Sequence, residues 1–174
     1  MKVIEQEIHS LKNSISEMWA LVHQQLYNAG EAMLTGDKEL AYKVISRERR
    51  VNAFELKIDS DCEDIIALYA PVAIDLRFVL AMYKIYTNLE RLGDFAESIA
   101  RFAGNLPEGE PIDPQLVKET RVEEMLSELL SMISHTKEAF EKESSEIASR
   151  IFLKDNLIDE INHNSTAIIA KYIE

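Results

Sequence analysis

Asn88-Leu89-Glu90-Arg91-Leu92-Gly93-Asp94, read together with Arg47-Glu48-Arg49-Arg50-Val51-Asn52, decides the fold of this chain. Each stretch carries an acidic or amide side chain at i and i+4, a spacing that stacks the two on one helix face. Pro71 lies midway between them. Glu48 is 23 residues before it and Asp94 is 23 after it, while Asn52 and Glu90 are each 19 away. Two helices folding back on each other at Pro71 therefore bring residue 48 level with 94 and 52 level with 90. The expected product is an oxygen-rich patch across an antiparallel helix pair.

Outward from that pair, apolar residues recur at helical spacing. Ile4, Ile8, Leu11, Ile15, Met18, Val22, Leu26, Ala29 and Met33 mark one face of a first helix. Gly36 suits its C-terminal stop and Asp37 the N-cap of the next. Ala41, Val44, Val51, Ile58, Cys62, Ile65 and Tyr69 then trace a second seam, interrupted by Glu48 and Glu55. An acid at the edge of an apolar stripe ordinarily marks where a helix emerges into solvent. The alignment across Pro71 lifts Glu48 out of that reading. Pro71 cannot continue helix two but suits the start of a third, whose seam is Phe78, Met82, Ile85, Leu89, Leu92, Ala96, Ile99 and Ala103.

Helix three is expected to end near Gly104. Pro107, Pro111 and Pro114 crowd the following stretch, so 105–114 reads as a linker between a first repeat at 1–104 and a second at 115–174. A shift of 107 residues relates the halves, placing Ile15 on Val122, Met18 on Met125, Val22 on Leu129, Leu26 on Ile133, Val44 on Ile151 and Val51 on Ile158. The same shift sets Glu48 on Asp155 and Asn52 on Asp159, but carries helix three beyond Glu174. The second repeat is expected to hold two helices only, as if the chain were cut before a sixth. No strand pattern or glycine-rich phosphate loop occurs. The fold class is all-α, an elongated antiparallel helical bundle of two three-helix repeats with the second incomplete. Its uncovered apolar faces favour a homodimer.

Composition bounds the function. The chain has 174 residues, 47% hydrophobic and 29% charged, which is globular and not disordered. Its net charge of −12 argues against nucleic acid, whose binding depends on Lys and Arg replacing counterions. The longest apolar run, Ile65 to Ile74, is ten residues and contains Pro71, and Met1-Lys2-Val3-Ile4-Glu5 lacks signal-peptide organisation. No direct membrane insertion is expected. The single cysteine, Cys62, excludes an intramolecular disulfide, reads as a buried packing residue, and fits a reducing cytoplasm.

Glu48, Glu90 and Asp94 would place three negative charges close together, each like-charge pair costing on the order of 1 to 4 kcal/mol near a surface. A divalent or trivalent metal ion would offset this. Carboxylates without Cys or His suit Mg, Mn, Fe or Ca better than a closed zinc site, and bridging carboxylates could hold more than one ion. The competing explanation is ionic pairing with Arg47, Arg49, Arg50, Arg77 and Arg91, which would make the protein a metal-free helical adaptor. A third reading, a carboxylate-bridged di-iron bundle enzyme, leans on Glu160-Ile161-Asn162-His163, but such sites need this motif from two helices and the chain has one copy. His9, His23 and His135 form no matched pair with it. Gly93 within a helix costs roughly 1 kcal/mol relative to alanine, which points to close approach of a neighbour. Trp19, Tyr27, Tyr83 and Tyr86 read as core or interface anchors, and no nucleophile–base pair stands out.

Ala70-Pro71-x3-Asp75-Leu76-Arg77 followed by Glu90-Arg91-Leu92-Gly93-Asp94 resembles the PhoU family of phosphate-signalling proteins. That resemblance spans the whole chain. It implies that Glu90 and Asp94 carry the family's third-helix metal motif, Glu48 and Asn52 its second-helix motif, and Asp155 and Asp159 the copy in the second repeat. Asn52 stands where the family often has aspartate, and the second repeat lacks its own Glu-Arg-x-Gly-Asp helix. The metal implied is divalent or trivalent, with Fe, Mn, Mg and Zn all open. The implied role is a cytoplasmic negative regulator of phosphate uptake and the phosphate-starvation response, without catalytic turnover. Its implied partners are a phosphate ABC transporter ATPase and a membrane sensor histidine kinase.

Overall fold

The computed structural model describes residues 3–107, 111–152 and 155–173. Part of the expected linker, residues 108–110, lies outside the described residues. Three long helices come first: α1 (Val3–Thr35), α2 (Lys38–Tyr69) and α3 (Ala73–Asn105). Four shorter ones follow: α4 (Pro114–Thr120), α5 (Val122–Glu141), α6 (Ser145–Ile151) and α7 (Asp155–Ile173). No strand occurs among the described residues, so the all-α bundle expected from the seams is the architecture found.

The three long helices pack pairwise on one another and bury the predicted seams. Leu11, Ile15, Met18, Val22 and Leu26 of α1 meet Val44, Val51 and Ile58 of α2 and Val79, Met82 and Leu89 of α3 in one core. Each fully buried aliphatic side chain there contributes about 1.5 to 3 kcal/mol relative to exposure. Trp19, Tyr86 and Cys62 are buried as expected, whereas Tyr27 and Tyr83 are about half exposed, at 48% and 49%. Tyr86 donates a hydrogen bond to the Asp59 carboxylate, which satisfies its hydroxyl where α2 and α3 meet.

The turns follow their residue chemistry. Gly36 takes the left-handed conformation (φ 72°) that ends α1, and the Asp37 side chain accepts from the backbone N–H of Leu40 at 2.9 Å to start α2. Pro71 is buried in the next turn, two residues before α3 begins, flanked by Ala70 (φ 44°) and Ala73 (φ 49°). Those two alanines hold backbone conformations that side chains disfavour.

The second half departs from the two continuous helices expected of it. The first is divided at Arg121, which is left-handed (φ 54°) although nothing but side-chain-bearing residues surrounds it. α4 packs on α7, while α5 packs on both α1 and α7. Arg121 ties α5 to α7 by donating to Glu124 through Nε at 2.8 Å and to Glu160 through Nη1 at 3.0 Å. The second expected helix is divided between α6 and α7, partly outside the described residues. The 107-residue shift is nevertheless visible in the backbone. It carries Gly36 to Glu143, also left-handed (φ 52°), and Asp37 to Ser144, which caps α6 by accepting from the N–H of Ile147 at 3.3 Å.

The halves are joined through α1. Trp19 Nε1 donates to the Ile133 carbonyl of α5 at 3.2 Å, and its ring stacks on Phe140 with centroids 5.7 Å apart. Lys12 lies over the same Phe140 ring and pairs with Glu143 at 2.6 Å. Among the described residues, no helix is long and apolar enough to cross a membrane.

Candidate functional site

The α2–α3 hairpin brings together the side chains whose register Pro71 set. Glu48 is 6% exposed, and both of its carboxylate oxygens are buried without a hydrogen-bond partner. A carboxylate in that position is costly to ionise unless something pairs with it. Gly93 explains how it fits: a Cβ there would stand 2.9 Å from Val51 Cγ1 and 3.6 Å from Glu48 Oε2. The missing side chain is what lets α2 press Glu48 against α3, as the glycine within the helix suggested.

The electrostatics agree with that placement. Burial, then the charges of Asp94, Glu97 and Glu90 in that order, push the Glu48 carboxyl up from 4.5 to about 7. Glu90 is raised as well, first by burial, then by Asp94 and Glu55, with Arg91 opposing. Glu48, Glu90 and Asp94 therefore lie in one acidic patch. Asn52 is exposed, and Glu55, one turn further along α2, is the residue whose charge reaches Glu90.

Two members of the patch were missed from sequence. Glu55 lies at the edge of the second apolar seam, and Glu97 one turn beyond Gly93. The signal was present, because Glu48, Asn52 and Glu55 follow i, i+4, i+7 on α2 while Glu90, Asp94 and Glu97 repeat the same spacing on α3. Of the arginines expected as neutralising partners, Arg49, Arg50, Arg77 and Arg91 are exposed and Arg91's charge acts on Glu90, while Glu97 pairs with Arg101 at 2.6 Å.

The second-repeat residues are not brought into this patch. Asp155 and Asp159 are exposed near the start of α7, which packs on α4 and α5. Of the Glu160-x-x-His163 motif, Glu160 is engaged by Arg121 and His163 is exposed. Cys62 is a buried free thiol, pushed up to about 12 by burial and by Asp59 and Asp61. It is not poised as a nucleophile. As the side chains stand, no three His, Cys, Asp or Glu among the described residues are close-set enough to hold a metal ion. A buried carboxylate with both oxygens unsatisfied is costly to ionise without a counter-charge.

Known proteins resemble this chain closely. The PhoU domain family matches residues 15–103. The Aquifex aeolicus phosphate-specific transport system accessory protein PhoU homolog is 32% identical over 96% of this chain and 74% of its own length. The Escherichia coli accessory protein PhoU is 34% identical over 88% of this chain, which spans 62% of that protein. The crystal structure of the phosphate transport system regulatory protein PhoU from Streptococcus pneumoniae superposes with a TM-score of 0.83, at 30% identity over 96% of this chain and 77% of that one. PhoU from Pseudomonas aeruginosa superposes with a TM-score of 0.85 at 26% identity, over 97% and 79% of the two chains.

Proposed function

This chain belongs to the PhoU family, and from that premise we propose that it regulates phosphate transport as a negative regulator of uptake and of the phosphate-starvation response. It would act by binding, not by catalysis, engaging a phosphate ABC transporter ATPase and a membrane sensor histidine kinase from the cytoplasmic side. Relatives named as accessory proteins of phosphate-specific transport support the transport role. The observation that carries a ligand-responsive mechanism is the buried Glu48 carboxylate, unsatisfied at both oxygens beside Asp94 and Glu90.

In this reading Glu48, Glu90 and Asp94 hold a divalent or trivalent cation, with Asn52 as an outer oxygen ligand. A hard, carboxylate-lined site suits Mg, Mn or Fe. Bound, the ion supplies positive charge that ties α2 to α3. Asp155 and Asp159 are the second repeat's contribution to an equivalent site. A regulator of this kind works by binding its partners with different affinity in different states.

The test is a pull-down of the transporter ATPase and the kinase cytoplasmic region by the purified chain at high and low phosphate. Binding that changes with phosphate status is the expected result; binding to neither partner overturns the regulatory reading. Elemental analysis beside a Glu90→Ala, Asp94→Ala double variant tests the ion separately. Stoichiometric metal lost in the variant is expected, and metal absent from both preparations overturns the site.

A further inference from the structure

We infer that the cleft between α1 and α5 is a binding site for an uncharged planar heterocycle of the nucleobase class, held where the two halves of the chain meet. A cavity of about 500 Å3 opens there, walled by Trp19, His23 and Tyr27 of α1 and by Ser134 and Lys137 of α5. Its size falls within the roughly 300 to 1,000 Å3 of small-molecule sites, which favour junctions between structural units. The cavity is separate from the acidic patch on α2 and α3. Tyr27 is 48% exposed, so its ring is available for stacking. Trp19 is 6% exposed and fixed by its bond to the Ile133 carbonyl and by Phe140, which makes it a rigid wall. Nucleobases of every kind stack on aromatic side chains, because each has a π-face.

The polar groups of the cleft select a neutral ligand. His23 Nε2 and Ser134 Oγ lie 3.0 Å apart, a pair whose donor and acceptor roles exchange with the imidazole tautomer. The exposed Gln24 amide offers a donor and an acceptor beside them. A heterocycle edge that alternates donors and acceptors matches this set, and an aliphatic chain does not. The charged groups in the wall are Lys137, Glu138 and Glu141, and each is already partnered. Lys137 pairs with Glu141, and Glu138 with Lys142 at 2.6 Å. Those lysines hold both carboxyls below their ordinary value, so the pairs stay ionised. A phosphate would compete for a committed ammonium beside two carboxylates, and an organic cation would have to displace a lysine. An uncharged ring that stacks on Tyr27 and bonds to His23 and Ser134 disturbs neither pair, and it bridges α1 to α5.

Isothermal titration calorimetry of the full chain with adenosine, AMP and inorganic phosphate tests this. Adenosine is expected to bind at a single site, AMP more weakly because its phosphate meets Glu138 and Glu141, and inorganic phosphate not at all. Tyr27→Ala, which removes the stacking ring, should weaken adenosine binding about tenfold. Ala20 also lines the cleft and is exposed, so Ala20→Trp fills the cavity without deleting a polar group and should abolish binding. Both substitutions are at exposed positions, and circular dichroism melts check that each variant is folded. No saturable heat with adenosine at about 1 mM overturns the inference. Adenosine binding left unchanged in both variants also overturns it, by placing the site elsewhere on the chain. Tighter binding of AMP or inorganic phosphate than of adenosine overturns the assignment to an uncharged ligand.

Discussion

At Glu48 a charge sits where a core residue would ordinarily be, and the pH response of the metal-stripped protein should show it. Its carboxyl is raised to about 7 in the folded state, whereas the unfolded chain keeps the ordinary value near 4.5. The folded state therefore holds the proton more tightly. Glu48 favours folding fully below pH about 4.5, and that contribution is lost as pH rises through about 7, amounting to about 3 kcal/mol. Thermal melts of metal-free protein should fall across this window, and Glu48→Gln should flatten the fall. Saturating cation should reverse the slope, because it favours the ionised form. Gly93→Ala should also destabilise. The added methyl gains about 1 kcal/mol of helix propensity but meets Val51 at 2.9 Å, an overpacking that costs about 1 to 3 kcal/mol. A net loss near 1 kcal/mol in urea melts is expected; a gain would mean that α2 yields easily.

The same residues show how far sequence carried the site. Glu48, Glu90 and Asp94 were legible because a proline midpoint fixes the register of a helical hairpin. Glu55 and Glu97 share their faces, yet an acid on a half-apolar helix looks the same in sequence whether it faces solvent or a partner helix. Asn52 was aligned opposite Glu90, but its side chain stays exposed, since one-dimensional register gives level along the axis and not rotation about it.

Among the elements, helix limits marked by local chemistry were readable, and those made by packing were not. Gly36 and Asp37 announce the first turn by the left-handed preference of one and the capping oxygen of the other. Arg121 announces nothing: its left-handed backbone joins α4, which packs on α7, to α5, which packs on α1 and α7, and its side chain bonds Glu124 and Glu160. Capping has a measurable weight. Asp37→Ala should cost about 1 kcal/mol of stability, read from a denaturant midpoint. Ala70→Gly should do the opposite, relieving a φ of 44° and stabilising by about 0.5 to 1 kcal/mol.

At the scale of the molecule, burial is uneven. The three long helices hold most of the buried apolar residues, while among the described residues α4 to α7 contribute Ile133, Ala139 and Ile161, with the polar Thr120. Helices with little buried surface open locally at lower free energy. Amide hydrogens in α6 and α7 should exchange well before those in α1 to α3, with α5 intermediate because Trp19 and Lys12 anchor it. Uniform protection along the chain would contradict this ranking. The 107-residue shift pairs Gly36-Asp37 with Glu143-Ser144, where a left-handed residue followed by a capping side chain recurs.

Trp19 is the only tryptophan in the sequence, and it lies on the contact through which α5 meets α1. The protein thus carries its own optical gauge at the joint between its halves. Any effector that shifts α5 changes the indole's hydrogen bond to Ile133 or its stacking on Phe140, and should alter emission wavelength or intensity without a label. Titrating a cation or a partner while watching that one chromophore would separate a ligand that tightens only the α2–α3 hairpin from one whose effect travels to the far half of the chain.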